Sequence, residues 1–197
     1  CCVDGDPVLR KNTGFTLIEL MIVIAIIGFG LTVAIPSFQG MFLRNSISSD
    51  TNSYLLAVNL ARSEAMRRGS VVSIQSLDGG AEADNEFGNG YCVQVGQPGA
   101  AGFSNSCTYV DARCNPTQTT GCVLRSFSEL SGSARFDSIE GVSALTFGSL
   151  GEVSASAVRN IDLCVDGEDG RRVHVSLIGR PRSHKVGDPV ASKRPTC

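Results

Sequence analysis

Between Phe15 and Ile35 the chain reads FTLIELMIVIAIIGFGLTVAI, 21 residues with a single charge, Glu19. At about 1.5 Å per residue a helix of that length spans roughly 30 Å, the hydrocarbon thickness of a bilayer. Soluble helices this long carry a polar stripe, and here there is none. The run predicts a membrane helix, with whatever follows carried on it. Glu19 is out of place in such a helix, because an isolated carboxylate in hydrocarbon costs about 2.5–3.5 kcal/mol. A plain anchor has no use for that cost; a helix that meets a cationic partner does. Gly28, Gly30 and Pro36 loosen the second half, Pro36 by removing one backbone hydrogen bond and crowding the preceding turn. Arg10 and Lys11 before the run predict a cytoplasmic amino end and a carboxyl-terminal domain on the far side.

Beyond Pro36 the chain turns polar but keeps a helical period to about Arg68. Tyr54, Val58, Ala61 and Ala65 recur at three and four, which predicts one buried face, widened by Leu55, Leu56 and Leu60. Asn52, Asn59, Arg62 and Arg67 fall opposite. Gly69 then reads as the glycine that ends the helix, with Arg67 and Arg68 favourable at the negative end of its dipole. From there the period becomes two. Strands are expected at 70–76, 91–95, 122–127, 133–137, 144–147, 161–165 and 172–178, separated by Gly-rich turns. In the last of these, Val173, Val175 and Leu177 alternate with Arg172, His174 and Ser176, as in a half-buried strand. The class is α+β, a long amino-terminal helix whose outer half packs on an antiparallel sheet.

Cysteine usage points to an oxidising compartment. Of eight cysteines, Cys1 and Cys2 precede the apolar run, and Cys92, Cys107, Cys114, Cys122, Cys164 and Cys197 follow it. Six cysteines without CxxC pairs predict disulfides rather than zinc, and their connectivity stays open. One pairing is expected, Cys164 with Cys197, because an untethered terminus rich in Lys, Arg, Ser and Pro would be disordered. Charge is uneven. Residues 171–197 hold seven basic groups against one acid, a net of +6, which leaves 10 basic and 18 acidic groups elsewhere, a net of −8. A basic tail on an acidic body predicts contact with something anionic. Catalysis is not expected. The two histidines, His174 and His184, lack a metal-ligand spacing, and no GxSxG, P-loop or HExxH motif occurs, so neither cofactor nor metal is implied.

Gly14 followed by Phe15-Thr16-Leu17-Ile18-Glu19 resembles the class III signal of type IV prepilins and of the pseudopilins of type II secretion. That resemblance implies a leader over residues 1–14, cleaved between Gly14 and Phe15 by a prepilin peptidase, and methylation of the new amino terminus. It implies that Glu19 pairs with the Phe15 amine of a subunit already in the filament, and that the helix loosens at Pro36 on assembly. The segments LARSEAMRRG (60–69), LTFGSLGEV (145–153), IDLC (161–164) and RRVHVSLIGRPR (171–182) resemble the GspH/FimT group of minor pilins and pseudopilins. The implied architecture is a type IV pilin: a filament-core helix over 15–36, an amphipathic helix over 37–69, and a disulfide-containing β domain over 70–197. Gly179-Arg180-Pro181-Arg182 is similar to the GRxR motif through which DNA-binding members of that group act in natural transformation. Since Pro181 cannot donate to a ladder, the last strand is expected to stop there and the chain to extend. Arg180 and Arg182 are then expected on opposite sides of it, each able to hold a phosphate. Lys185, Arg171 and Arg172 complete the implied contact set for double-stranded DNA. The other implied partners are major and minor pilins and the inner-membrane assembly platform. Two alternatives remain open, a structural minor pilin that primes assembly without binding DNA, and a type II secretion minor pseudopilin.

Overall fold

The computed structural model describes residues 14–77, 85–99, 107, 121–130, 134–138, 141–153, 160–165 and 170–185; for 33–37 and 39 it describes the backbone alone. Helix α1 runs from Leu17 to Arg68. Thr16 starts it, its hydroxyl accepting from the Glu19 amide at 3.3 Å. Thr16-x-x-Glu19 is thus the Ser/Thr-x-x-Glu arrangement of a helix start, with an acid where the helix dipole favours one. At the far end Gly69 has φ +62 and the Ser70 amide donates to the Ala65 carbonyl, the closing bond of a glycine-terminated helix. The helix continues through Pro36 without interruption, so the loosening expected there is not a feature of this chain by itself.

Residues up to Met41 form one compact unit and Phe42 onward a second. In the first, the apolar side chains from Phe15 to Leu31 are all exposed. Among the described residues no helix is long and apolar enough to cross a membrane. The fully described apolar stretch of α1, Leu17 to Thr32, holds 16 residues, where a span needs about 20.

The second unit is built on the other half of α1. Tyr54, Val58, Ala61 and Ala65 are buried as the sequence spacing expects, joined by Ile47, Thr51 and Ala57 on the same side; of the leucines expected to widen that face, Leu55 and Leu60 are half-buried and Leu56 is exposed, because it falls on the side turned from the core. Two four-stranded antiparallel sheets, rather than one, pack with it around a common core. The first has the order β3-β2-β1-β5, from β1 (Val72–Ser76), β2 (Tyr91–Val95), β3 (Cys122–Phe127) and β5 (Ala144–Phe147). The second has the order β4-β6-β7-β8, from β4 (Arg135–Ser138), β6 (Asn160–Cys164), β7 (Arg171–Val175) and β8 (Pro181–Lys185). Tyr54 joins α1 to both sheets, its ring edge-on to Tyr91 of β2 at 5.5 Å and to Phe136 of β4 at 5.0 Å. Burial holds the Tyr54 hydroxyl well above its ordinary pKa. Cys92 of β2 is bonded to Cys107, and Cys122 and Cys164 are also disulfide-bonded. Cys114 and Cys197 lie outside the described residues, and with them the expected Cys164–Cys197 pair.

Candidate nucleic-acid interface

The basic segment does not leave the sheet as an extended tail. The strand expected to run to 178 ends at Val175, the chain turns through Ser176–Gly179, and Pro181–Lys185 returns as β8. The turn is closed by the Gly179 amide on the Ser176 carbonyl at 2.8 Å, with the Ser176 amide on the Arg180 carbonyl at 3.0 Å. Register pairs Pro181 with Val175, Arg182 with His174, His184 with Arg172 and Lys185 with Arg171. Pro181 is tolerated because it is the first residue of an edge strand. Proline therefore starts a strand here instead of ending one. Leu177 and Ile178, read from the sequence as strand, lie in the turn and are exposed.

Gly179 fixes where that turn goes. Its φ is +74, and a Cβ there would collide with the carbonyl oxygen of Gly151. The same carbonyl accepts from Nε of Arg62 on α1 at 3.3 Å, while the Val153 amide donates to the Leu177 carbonyl at 2.9 Å. Arg62, Gly151 and Gly179 belong to three of the four sequence segments singled out above, at 60–69, 145–153 and 171–182. They meet at one point, which locks the β7–β8 hairpin to the buried half of α1.

Of the five cations named from the sequence, the hairpin exposes Arg180, Arg182 and Lys185 and half-buries Arg171. Arg172 is a correction. It is buried, and its guanidinium makes a two-pronged pair with Asp162, Nε to Oδ1 and Nη2 to Oδ2, both at 2.6 Å. Asp162 lies directly opposite it on β6. Alternation in 171–175 had suggested an open outer face, but β8 on one side and β6 on the other make β7 an interior strand. Its neutralised charge has no part in an external contact. The expectation for Arg180 and Arg182 is also revised. Arg180 closes the turn, and Arg182 lies inside β8. In a strand, moreover, residues two apart share a face. Arg182 and Lys185 lie on β8, which among the described residues is the edge strand of its sheet, a position that suits contact with a partner.

The amino-terminal positions are placed more simply. Gly14 and Phe15 are exposed, with open space where a Gly14 side chain would be, and Glu19 is exposed in the first turn of α1. Its helix-starting position was missed in the sequence, although Thr16 three residues earlier signals it. The side chain of Pro36 lies outside the described set.

A family profile described as type II transport protein GspH matches residues 50–179, and a prokaryotic N-terminal methylation motif matches residues 9–35. Fimbrial protein EcpC of Eikenella corrodens is 43% identical over 76 residues, 39% of this chain and 43% of that protein. The type IV major fimbrial protein FimA of Dichelobacter nodosus is 57% identical over 35 residues, 18% of this chain and 22% of its own. The chain thus spans less than half the length of these curated relatives. In fold it is similar to the crystal structure of the Pseudomonas aeruginosa type IV minor pilin FimU, with a TM-score of 0.55 at 22% identity over 78% of this chain and 95% of that one.

Proposed function

Since the chain belongs to the GspH/FimT family of minor type IV pilins and pseudopilins, we propose that it is built into a pilus near its tip and binds double-stranded DNA there, for uptake, through the β7–β8 hairpin. Family and fold are those of structural rather than catalytic proteins. The observation that carries the DNA reading is the exposure of Arg180, Arg182 and Lys185 along the β7–β8 hairpin, whose β8 is an edge strand among the described residues. No aromatic side chain lies in β8 to stack on bases, so the contact is electrostatic and indifferent to sequence. Three phosphate contacts give a slope of log affinity against log salt near −3. The test is salt-titrated fluorescence anisotropy on the full chain in detergent with a labelled duplex. Arg180→Ala with Arg182→Ala should remove about two units of slope and most of the binding, with an unchanged circular dichroism spectrum. A double variant that binds as wild type does would sink this reading.

Assembly is proposed to follow the processing that the amino-terminal motif supports. Cleavage after Gly14 frees the Phe15 amine, with the helix in the inner membrane and the β domain in the periplasm before incorporation. Glu19 then pairs with a neighbouring subunit's amine. Glu19→Ala should leave membrane insertion intact and reduce the chain's amount in sheared filaments, read by immunoblot. The secretion pseudopilin alternative is favoured by the description of the matching family; it shares these amino-terminal steps and dispenses with DNA.

A further inference from the structure

The first sheet, which does not carry the basic hairpin, has a cavity of about 270 Å³ where it meets α1. Asp50 and Ser53 of α1, Tyr91 of β2, Arg125 and Phe127 of β3, and Glu129 just beyond β3 line it. Its charges are not spent on one another. Among the described residues the Asp50 carboxylate accepts one hydrogen bond, from the Ser46 hydroxyl at 3.2 Å, and the ion pairs involve neither Asp50 nor Arg125 nor Glu129. Arg125 instead lies over Phe127, its guanidinium carbon 5.1 Å from the ring centre, and Tyr91 stacks on the same ring at 4.8 Å. A guanidinium placed on a ring keeps its N–H groups for a further acceptor. Tyr91 is 2% exposed, yet its hydroxyl has no hydrogen-bond partner among the described residues. Burial foremost, and then the charge of Asp50, raises its pKa, while Arg125 opposes the rise, so the hydroxyl lies in the field of both charged walls. A half-buried carboxylate and a buried phenol left this short of partners are unusual in a wall that serves structure alone.

The donor and acceptor census selects the occupant. Asp50 and Glu129 only accept, Arg125 only donates, and Tyr91 and Ser53 do either. A cation would be repelled by Arg125 and an anion by the two acids, while an apolar group would leave every one of these atoms unsatisfied. Ligand hydroxyls both donate and accept, and a ring that carries several of them in different directions can serve all the walls together. The volume falls just under the roughly 300 Å³ at which small-molecule pockets begin, which limits the occupant to about one ring. We propose that this cavity binds a single neutral hexose ring, free or at the end of a glycan, with Asp50 and Glu129 accepting from its hydroxyls, Arg125 donating to one, and Tyr91 exchanging a hydrogen bond with another. None of these residues belongs to the β7–β8 hairpin, so the site stands or falls apart from the DNA reading.

The test is saturation-transfer difference NMR on the full chain, held in a detergent without a sugar headgroup. The probes are glucose, galactose, mannose and N-acetylglucosamine, each free and as its methyl glycoside, with putrescine as the cationic comparison. At least one sugar should take up saturation and putrescine none. Uptake by the free sugars alone would make the occupant a free hexose, and uptake by the glycosides as well a glycan end; either result carries the proposal. Tyr91→Phe removes one oxygen and keeps the stack, so it should weaken the Kd about tenfold with an unchanged near-ultraviolet circular dichroism spectrum. Asp50→Asn and Arg125→Gln should weaken it at least as much, and Arg182→Gln in the hairpin should leave it as in wild type. Silence from every sugar, or saturation of putrescine alone, would overturn the proposal. Sugar binding that survives unchanged in both Tyr91→Phe and Asp50→Asn would overturn the assignment to this cavity.

Discussion

The two halves of α1 are both rich in apolar residues and meet opposite surroundings. From Leu17 to Leu31 the large apolar side chains are exposed, Leu17 at 78% and Ile24 at 57%. From Ile47 to Ala65 the buried positions are at 2% or less. Periodicity separates them more than hydrophobicity does. The first half is apolar all round and so has no face to select; it needs an apolar medium on every side, which lipid or neighbouring helices supply. The second half confines its apolar residues to one stripe and backs it with Asn52, Asn59 and Arg67, so a single domain satisfies it. A helix in this chain thus encodes two environments in one backbone.

The sharpest way to break that contrast is to shave one side chain from each half. Tyr54→Ala removes a ring held among Phe87, Tyr91 and Phe136 and should cost about 3–5 kcal/mol in urea unfolding followed by near-ultraviolet circular dichroism. Ile24→Ala should leave the unfolding midpoint of the β domain where it is. Tyr54→Phe should be close to neutral, because among the described residues the hydroxyl has no hydrogen-bond partner. Comparable losses at positions 54 and 24 would show that the two halves share one stability.

Smaller effects are expected at two glycines tied to the buried half. Gly69 and Gly179 both have positive φ, +62 and +74, so a Cβ strains either by about 1–2 kcal/mol. Around Gly69 there is open space, and Gly69→Ala should cost only that strain. At Gly179 the new methyl would also meet the Gly151 carbonyl and Arg62, so Gly179→Ala should cost more and displace the hairpin. Equal unfolding midpoints for the two variants would argue against the three-segment lock.

Much of this could be read from residues alone, and the exceptions have physical causes. The helix, its buried stripe and its terminal glycine follow from local spacing and backbone preference, which a sequence displays directly. The strands at 91–95, 122–127 and 144–147 match as well, each a short run of strand-forming residues. What was illegible depended on pairing. Reading Pro181 as a stop ignored that the first residue of an edge strand needs no amide, so β8 was missed and β7 looked like an edge. The burial of Arg172 follows from that omission, because only a neighbour on each side closes its face. Thr16 with Glu19 was legible and was overlooked because the acid looked anomalous in an apolar run.

The smallest expected effect concerns two acids on the buried half of α1, whose contributions to stability have opposite pH dependence. Glu64 accepts from Arg67 and Arg68, at 2.6 Å and 2.8 Å. The Arg67 hydrogen bond foremost, with help from Arg68, holds its carboxyl below the ordinary 4.5. The folded chain then releases this proton more readily than the unfolded chain, so its contribution is present above about pH 4.5 and is lost as pH falls through the lowered value. Asp50 goes the other way. Burial pushes its carboxyl above the ordinary 3.8, partly offset by the Ser46 hydroxyl donating at 3.2 Å. Its contribution is present below about pH 3.8 and is lost as pH rises through the raised value. At pH 7 Glu64→Gln should therefore destabilise by about 0.3–0.5 kcal/mol, the usual worth of a helix-surface pair. Asp50→Asn should leave stability equal or slightly higher there. On acidification the Glu64→Gln variant should lose stability less steeply than wild type, and the Asp50→Asn variant more steeply. Urea unfolding of the three proteins from pH 7 to pH 3 measures this directly, and parallel curves would remove both carboxyls from the account of how the buried half is held.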